Sequence, residues 1–249
     1  MPTALITGAT AGLGAAFARR LAADGFSLVL VARDEKRLVE TADTLYHRYG
    51  VRADALAADL SAEEGVAAVE KRLREGVDLL VNNAGFAHTG AALDVPVEDE
   101  VTMLRVHCEA VLRLTMAALP AMRARGRGGV INVASVAAFF AHGTYSASKA
   151  WVVNFSESLA AQVPEPRVRV MALCPGFVRT EFHERAAIDT SGIPGFMWLS
   201  ADRVAGAAMR DLARGLPVSV PDPRYKAIVG VSRYIPRGVV ARVSALIGR

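Results

Sequence analysis

Cysteine is nearly missing from this chain: Cys108 and Cys174 are the only two among 249 residues. Two thiols exclude a disulfide framework and a four-cysteine zinc site; they read as ordinary buried thiols and fit a reducing compartment, so a cytoplasmic location is expected and no metal centre is. Long apolar runs are also missing. The longest uncharged stretch, residues 128–148, is broken by Asn132, His142, Thr144 and several Gly and Ser residues, unlike a membrane-spanning helix. The start, Met1-Pro2-Thr3-Ala4-Leu5-Ile6, has no basic region, and Gly8, Gly12 and Gly14 break the apolar stretch after it, so no secretory signal is expected. There is no internal repeat and no low-complexity linker. A single domain spanning residues 1–249 is therefore expected.

Hydrophobic residues make up 52% and charged residues 22%, which excludes disorder over most of the length. The net charge of +4 is uneven, because residues 203–249 hold nine Lys or Arg against two Asp. A pI near 9.3 without a basic stripe and a reading motif does not make a nucleic-acid binder, and no nucleic-acid partner is expected.

Short apolar runs alternate with amphipathic stretches of helical length. Residues 4–6, 26–31, 53–57, 77–81, 129–133 and 168–173 have the character of strands buried on both faces of a parallel sheet. Between them, residues 11–24, 35–49, 62–75, 97–125 and 145–162 have helical patterns. Strict alternation predicts right-handed crossovers and an α/β, doubly wound sheet. From Pro175 the pattern loosens. Residues 181–199 mix Phe182, Ile188, Ile193, Phe196, Met197, Trp198 and Leu199 with Gly192, Pro194 and Gly195, which suits an apolar flap. A helix over 201–214, a strand over 218–220 and a basic helical extension over about 222–249, broken near Pro236, complete the chain.

Chemistry concentrates at the ends of the strands. After the first strand, Thr7-Gly8-Ala9-Thr10-Ala11-Gly12-Leu13-Gly14 leads into a helix. Such glycines let backbone N–H groups approach a pyrophosphate and leave it at the positive helix end, although the spacing is not the Gly-x-Gly-x-x-Gly fingerprint. Asn82-Asn83-Ala84-Gly85 closes the fourth strand, Ser135 follows the fifth, Tyr145-Ser146-Ala147-Ser148-Lys149 opens a helix, and Pro175-Gly176-Phe177-Val178-Arg179-Thr180 follows the sixth. Tyr145 and Lys149, four apart, share a helical face. A free tyrosine titrates near about 10, and an adjacent ammonium is expected to lower that value and make the phenol a usable general acid.

Taken together, these motifs resemble the short-chain dehydrogenase/reductase family over roughly residues 3–220. The resemblance implies a Rossmann-type sheet of about seven strands with helices on both faces. It implies that Tyr145 protonates the substrate oxygen, that Ser135 hydrogen-bonds it, and that Lys149 holds the nicotinamide ribose and tunes Tyr145. It also implies that Thr7, Gly8, Thr10, Gly12, Leu13, Gly14, Arg33, Asp59, Leu60, Asn83, Ala84, Gly85, Pro175, Gly176, Val178 and Thr180 join Tyr145 and Lys149 in binding the cofactor. Within that set Asp59 and Leu60 lie at the adenine, Asn83 and Gly85 along the adenosine ribose, and Thr180 at the nicotinamide carboxamide.

Two features depart from the family. His107 stands where it places a catalytic asparagine on the long central helix. Either the helix carbonyl alone serves a proton relay there, or the imidazole takes part and titrates near neutral pH. Only nine residues separate Ser135 from Tyr145, which predicts a more open entrance. At the end of the second strand Ala32 replaces the acid typical of NAD enzymes and Arg33 follows; arginine suits a 2′-phosphate, so NADP(H) is the expected cofactor. The alternative makes Arg33 an ordinary surface residue beside Asp34; the competing functions are NAD-dependent oxidation of an alcohol within the same family and a non-catalytic cofactor-binding regulator, for which His107 is the one feature in favour.

The expected reaction is reversible reduction of a lipophilic ketone or aldehyde of 3-oxoacyl, steroid or polyketide type, with Arg179, His183 and Arg185 at the rim of the site. The other reading of the flap is that its apolar residues close the core. The tail from Tyr225 has no acid, and its Lys226, Arg233, Arg237, Arg242 and Arg249 are spread among apolar residues. Peripheral membrane contact is one expectation for it, packing on its own domain or a sister subunit the other. The resemblance implies a homodimer or homotetramer paired through helices 97–125 and 145–162, and the Val101, Leu112, Leu114, Trp151, Val152, Phe155 and Leu159 on them exceed what one sheet face needs.

Overall fold

In the computed structural model, which describes residues 1–89, 93–141, 143–186, 190–232 and Tyr234, seven strands form one parallel sheet. These are β1 (Thr3–Thr7), β2 (Ser27–Ala32), β3 (Ala53–Ala57), β4 (Leu79–Asn82), β5 (Gly128–Val133), β6 (Val168–Leu173) and β7 (Val218–Ser219), side by side in the order β3-β2-β1-β4-β5-β6-β7. The direction in which the chain adds strands reverses between β1 and β4, where Leu5 pairs with Leu80. In open parallel sheets such a reversal leaves a crevice at the carboxyl ends of the strands, here between the ends of β1 and β4.

Strand alternation divides the core into two. On one face Ile6, Leu28, Leu30, Ile131 and Met171 pack against helices α1 (Gly12–Ala23) and α2 (Glu35–Tyr49) and against helices later in the chain. On the other face Leu5, Val29, Leu80, Val130 and Val170 meet α3 (Glu63–Arg74) and the long central helix. Strands covered on both sides cannot alternate polar and apolar residues, which is why they read as short continuous apolar runs. Asp34 starts α2 by accepting the Arg37 backbone N–H at 3.0 Å, and Gly50, at φ 67°, ends it in the left-handed conformation.

The helix expected over 97–125 is divided: α4 (Val97–Leu104), a π-helical turn at Arg105–Glu109, then α5 (Ala110–Ala124). The π turn is centred on His107. Arg113 of α5 bonds Glu70 at 2.9 Å and Glu63 at 2.7 Å, tying α5 to α3. Next come α6 (Gly143–Gln162), the one-turn α7 (Phe182–Arg185), α8 (Ala201–Ala213) and α9 (Pro223–Ser232).

A buried polar line runs through the middle of the sheet. Asn82 Nδ2 donates to Asn132 Oδ1 at 2.9 Å and to Thr115 Oγ1 at 3.1 Å, and Asn132 Nδ2 donates to Ser156 Oγ at 3.0 Å. Asn82 therefore belongs to the sheet interior and not to the crevice.

Two residues expected on an outward assembly face are core residues: Leu114 and Val152 are fully buried between their helices and the sheet. Val101, Leu112 and Trp151 are exposed, and Trp151 stacks on Phe155 at 4.8 Å. Helix α9 carries the expected extension to Ser232; the break near Pro236 and the second helical piece lie outside the described residues, as does Ile188. No helix among the described residues is long and apolar enough to cross a membrane, and none of their His, Cys, Asp or Glu side chains group to hold a metal ion.

Candidate active site

The turn after β1 is built by backbone. Gly8 (φ 67°) and Gly12 (φ 53°) occupy the left-handed region that side chains disfavour. A Cβ on Gly14 would stand 2.1 Å from the Gly8 carbonyl oxygen, so only glycine permits this packing of α1 on the turn. Helix α1 begins after Ala11 with no side-chain cap, leaving its first N–H groups and their partial positive charge facing the crevice. Leu13 turns inward to the core. Thr7 Oγ1 accepts the N–H groups of Asn83 (2.9 Å) and Ala84 (3.0 Å), and Asn83 Nδ2 donates to the Thr7 carbonyl at 2.9 Å. These side chains stitch the end of β4 to the turn. A glycine-lined, uncapped helix start with no room for a Cβ fits a dinucleotide's pyrophosphate.

At the β2 end of the crevice Arg33 is exposed, while Asp34 is committed to capping α2. Arg37 donates to the Thr10 carbonyl at 3.2 Å and to Glu181 at 3.3 Å. Burial works to raise the Asp59 pKa, but hydrogen bonds from the Ser61 backbone and hydroxyl, with the charge of Arg33, hold it below the usual carboxylate value. Leu60 is buried in the core on the α3 side.

Ser135 stands after β5 as the cap of a 3-10 turn at Val136–Phe139, its Oγ accepting the Ala137 N–H at 3.1 Å. Tyr145 and Lys149 occupy the first turns of α6, with the Lys149 Nζ 5.7 Å from the Tyr145 ring centre. The expectation that Lys149 lowers the Tyr145 pKa is not met. Burial pushes the phenol up to about 12, opposed by a hydrogen bond with Ser135, while the Lys149 ammonium donates to the Val133 carbonyl at 3.1 Å. Burial brings Lys149 itself down to about 8. Cys174 is buried, whereas Cys108 is only half-buried.

His107 is fully buried on the π turn. Its Nε2 accepts the Phe86 backbone N–H at 3.2 Å, and its Nδ1 lies 3.0 Å from Ser148 Oγ. Because a backbone N–H only donates, Nε2 is unprotonated and Nδ1 carries the hydrogen. Ser148 passes the pattern on by donating to the Tyr145 carbonyl at 2.7 Å. Burial, followed by the charge of Lys149, holds the His107 pKa well below its usual value. Glu109, on the same turn, pairs with Arg113 at 3.4 Å. Gly85 fits under the imidazole: a Cβ there would meet Nε2 at 2.9 Å.

After β6 the Pro175 carbonyl accepts the Val136 N–H at 3.0 Å, and Val178 bridges Leu199 in parallel. Thr180 packs against Gly12, where a Cβ would meet its side chain at 3.0 Å. The apolar residues of 181–199 divide. Leu199 is buried and belongs to the core, whereas Phe196 is 65% exposed. Phe182 lies 6.2 Å from the Tyr145 ring; Phe177, His183 and Trp198 form an aromatic cluster at 5.0–5.8 Å, and Arg179 covers Trp198 at 5.4 Å. The Arg185 side chain lies outside what the structure describes. Gly176 has a neighbour the sequence did not announce, since a Cβ there would fall 2.0 Å from the Tyr225 ring.

Sequence reasoning missed Arg37, Ser148 and Tyr225. Ser148 sits inside the Tyr-x-x-x-Lys motif and Arg37 lies one helical turn beyond Arg33, so spacing carried a signal for both. Tyr225, 48 positions from Phe177, gave none.

Comparison with known proteins agrees with this geometry. Residues 2–190 match the family model described as short chain dehydrogenase. A Streptomyces violaceoruber protein named as ketoacyl reductase 1 of the granaticin polyketide synthase is 38% identical over 200 residues, covering 77% of this chain and 73% of its own. The very-long-chain 3-oxoacyl-CoA reductase of Anas platyrhynchos is 31% identical over 216 residues, 76% of this chain and 69% of its own. A short-chain dehydrogenase from Sphingobium yanoikuyae, solved in complex with NADPH, superposes with a TM-score of 0.85 at 35% identity, over 94% of each chain.

Proposed function

Because the chain belongs to the short-chain dehydrogenase family of oxidoreductases, we propose that it reduces the carbonyl group of a lipophilic ketone or aldehyde to an alcohol, using NADPH. The observation that carries this reading is the convergence of Ser135, Tyr145 and Lys149 beside the glycine-lined crevice. When bound, NADPH supplies the hydride. Charge then develops on the substrate oxygen, and the Ser135 and Tyr145 hydroxyls are the donors that stabilise it. A phenol whose pKa is raised to about 12 is protonated at neutral pH, the form a general acid needs. Lys149, at about 8, still carries its charge there and replaces the proton that Tyr145 gives up.

Selection of NADPH rests on Arg33 and on the engagement of Asp34 with α2, which keeps that carboxylate from competing for a ribose hydroxyl. The neighbouring structure's NADPH supports the same choice. The Phe177, His183 and Trp198 cluster beside Phe182 supports an apolar substrate body, as do the 3-oxoacyl-CoA and ketoacyl reductases among the relatives. At His107 the neutral imidazole, engaged at both nitrogens, supports the backbone reading of the relay over passage through the ring. The exposed Val101, Leu112 and Trp151 support a homo-oligomer, the two unpaired thiols a cytoplasmic location, and the single seven-stranded sheet one domain. The test is a panel of ketones and aldehydes, small and bulky, with NADPH and with NADH. Consumption of NADPH that depends on a bulky ketone is expected; no consumption with any carbonyl compound overturns the reading.

A further inference from the structure

The bridge between the segments after β6 is a short parallel ladder with one rung built differently. Two rungs are direct: the Leu199 N–H donates to the Phe177 carbonyl at 2.8 Å and the Arg179 N–H to the Leu199 carbonyl at 3.0 Å. By the same pattern the next rung would run from the Phe177 N–H to the Met197 carbonyl. The Tyr225 hydroxyl stands in that place. It accepts the Phe177 N–H at 3.1 Å and donates to the Met197 carbonyl at 2.8 Å, which uses its one donor and one of its acceptor sites. Tyr225 is 2% exposed, and its ring covers the face of Gly176, where a Cβ would overlap it. Its neighbour Arg224, paired with Asp222 at 2.7 Å, also donates to the Phe196 carbonyl. Residues 222–225 thus hold 196–197 through two adjacent carbonyls.

We infer that Tyr225 is a positioning residue for the substrate: its hydroxyl, inserted as a rung, sets the spacing between Phe177 and Met197 and with it the aromatic wall formed by Phe177, His183 and Trp198. Phe177 carries the ring that meets both His183 and Trp198, and Met197 immediately precedes Trp198. A direct rung would draw the two segments together by the width of a hydroxyl, and a lost rung would let them part. Either change moves the wall while leaving Tyr145 and Lys149 on α6 and Ser135 at the cap of the turn after β5 in place. A bulky substrate meets this wall. A small one meets only the groups around its carbonyl.

The substrate arm of the test rests on the carbonyl-reductase reading; the structural arm does not. Tyr225→Phe keeps the ring over Gly176 and deletes the rung. Amide hydrogen exchange should show the Phe177 N–H at least about ten-fold faster in the variant, with β1 amides unchanged. Steady-state kinetics should show the KM of a bulky ketone raised about ten-fold, kcat within about three-fold, and the KM of a small aldehyde unchanged. Arg224→Gln alters only an exposed side chain, so it folds even if Tyr225→Phe does not; it should shift the same bulky-to-small ratio about three-fold. A Phe177 amide as slow as in the wild type overturns the rung. A uniform loss across substrates, or an unchanged ratio in the folded variants, overturns its role in substrate positioning. If the wild type reduces no ketone at all, the reductase reading falls and the exchange measurement still decides the rung.

Discussion

The two sides of the crevice are held by different means. On the β1–β4 side the turn is closed by main chain and by residues that lie in short motifs: glycines at positions 8, 12 and 14, Thr7, and the Asn83 amide. On the β6–β7 side the walls are held by side chains from far along the sequence, with Tyr225 and Arg224 bonding Phe177, Met197 and Phe196. A turn built of main chain keeps one geometry, as the proposed binding of a pyrophosphate requires, with little freedom to drift. A substrate wall tuned by remote side chains changes without disturbing the turn. This division lets one fold serve many carbonyl compounds.

Substitutions on the two sides should therefore fail differently. The largest effect belongs to the chemistry between them. Tyr145→Phe should lower turnover by about 10²–10⁴-fold while the Kd for NADPH stays within about two-fold, as stopped-flow turnover and fluorescence titration would show. A variant that kept most of its activity would remove Tyr145 as the acid. Next, Arg33→Ala should weaken NADPH by about 10–100-fold, in line with a lost charge-assisted contact of about 1.5–3 kcal/mol, and leave NADH nearly unaffected. Equal weakening of both cofactors would make Arg33 a surface residue.

Gly14→Ala tests the backbone side, because its new Cβ overlaps the Gly8 carbonyl. Overpacking of this kind costs about 1–3 kcal/mol, so melting should fall by several degrees, with weaker binding of NADPH and NADH alike. Melting like that of the wild type would mean that the turn is less constrained than its contacts indicate.

The smallest effect is at His107. Burial holds its folded-state pKa well below the ordinary 6.5, so as pH falls the unfolded chain takes up the proton first. The stability tied to the neutral ring is present above about pH 6.5 and drains below it, by at most about 1.4 kcal/mol per pH unit. His107→Asn should flatten this part of a melting curve measured against pH, and its turnover profile should superimpose on that of the wild type. A lost kinetic inflection with slowed chemistry would instead put the imidazole in the relay.

The sheet was legible because buried strands leave short apolar runs and because turns need glycine at fixed places; the ends moved by a residue or two, as for β4 at Leu79–Asn82. The π turn was not legible, since Arg105-Val106-His107-Cys108-Glu109 contains neither proline nor glycine, and the partners of His107 on it, Phe86 and Ser148, lie far away in sequence. Nor could composition sort Leu199 from Phe196. One faces the core and the other solvent for reasons of chain path, and both are simply apolar in sequence. Tyr225 read as part of a tail, because a hydroxyl's partners 28 and 48 positions away leave no local trace.

The polar line through Asn82, Thr115, Asn132 and Ser156 bears on how this protein can change over generations. Replacing Ser156 alone strands the Asn132 amide in the interior, a penalty of about 1–3 kcal/mol, whereas replacing the whole group with apolar residues of matching shape is close to neutral. The single step at Ser156 is thus uphill while the concerted exchange is nearly level. These four positions, drawn from two strands and two helices on opposite faces of the sheet, are expected to be inherited as a set.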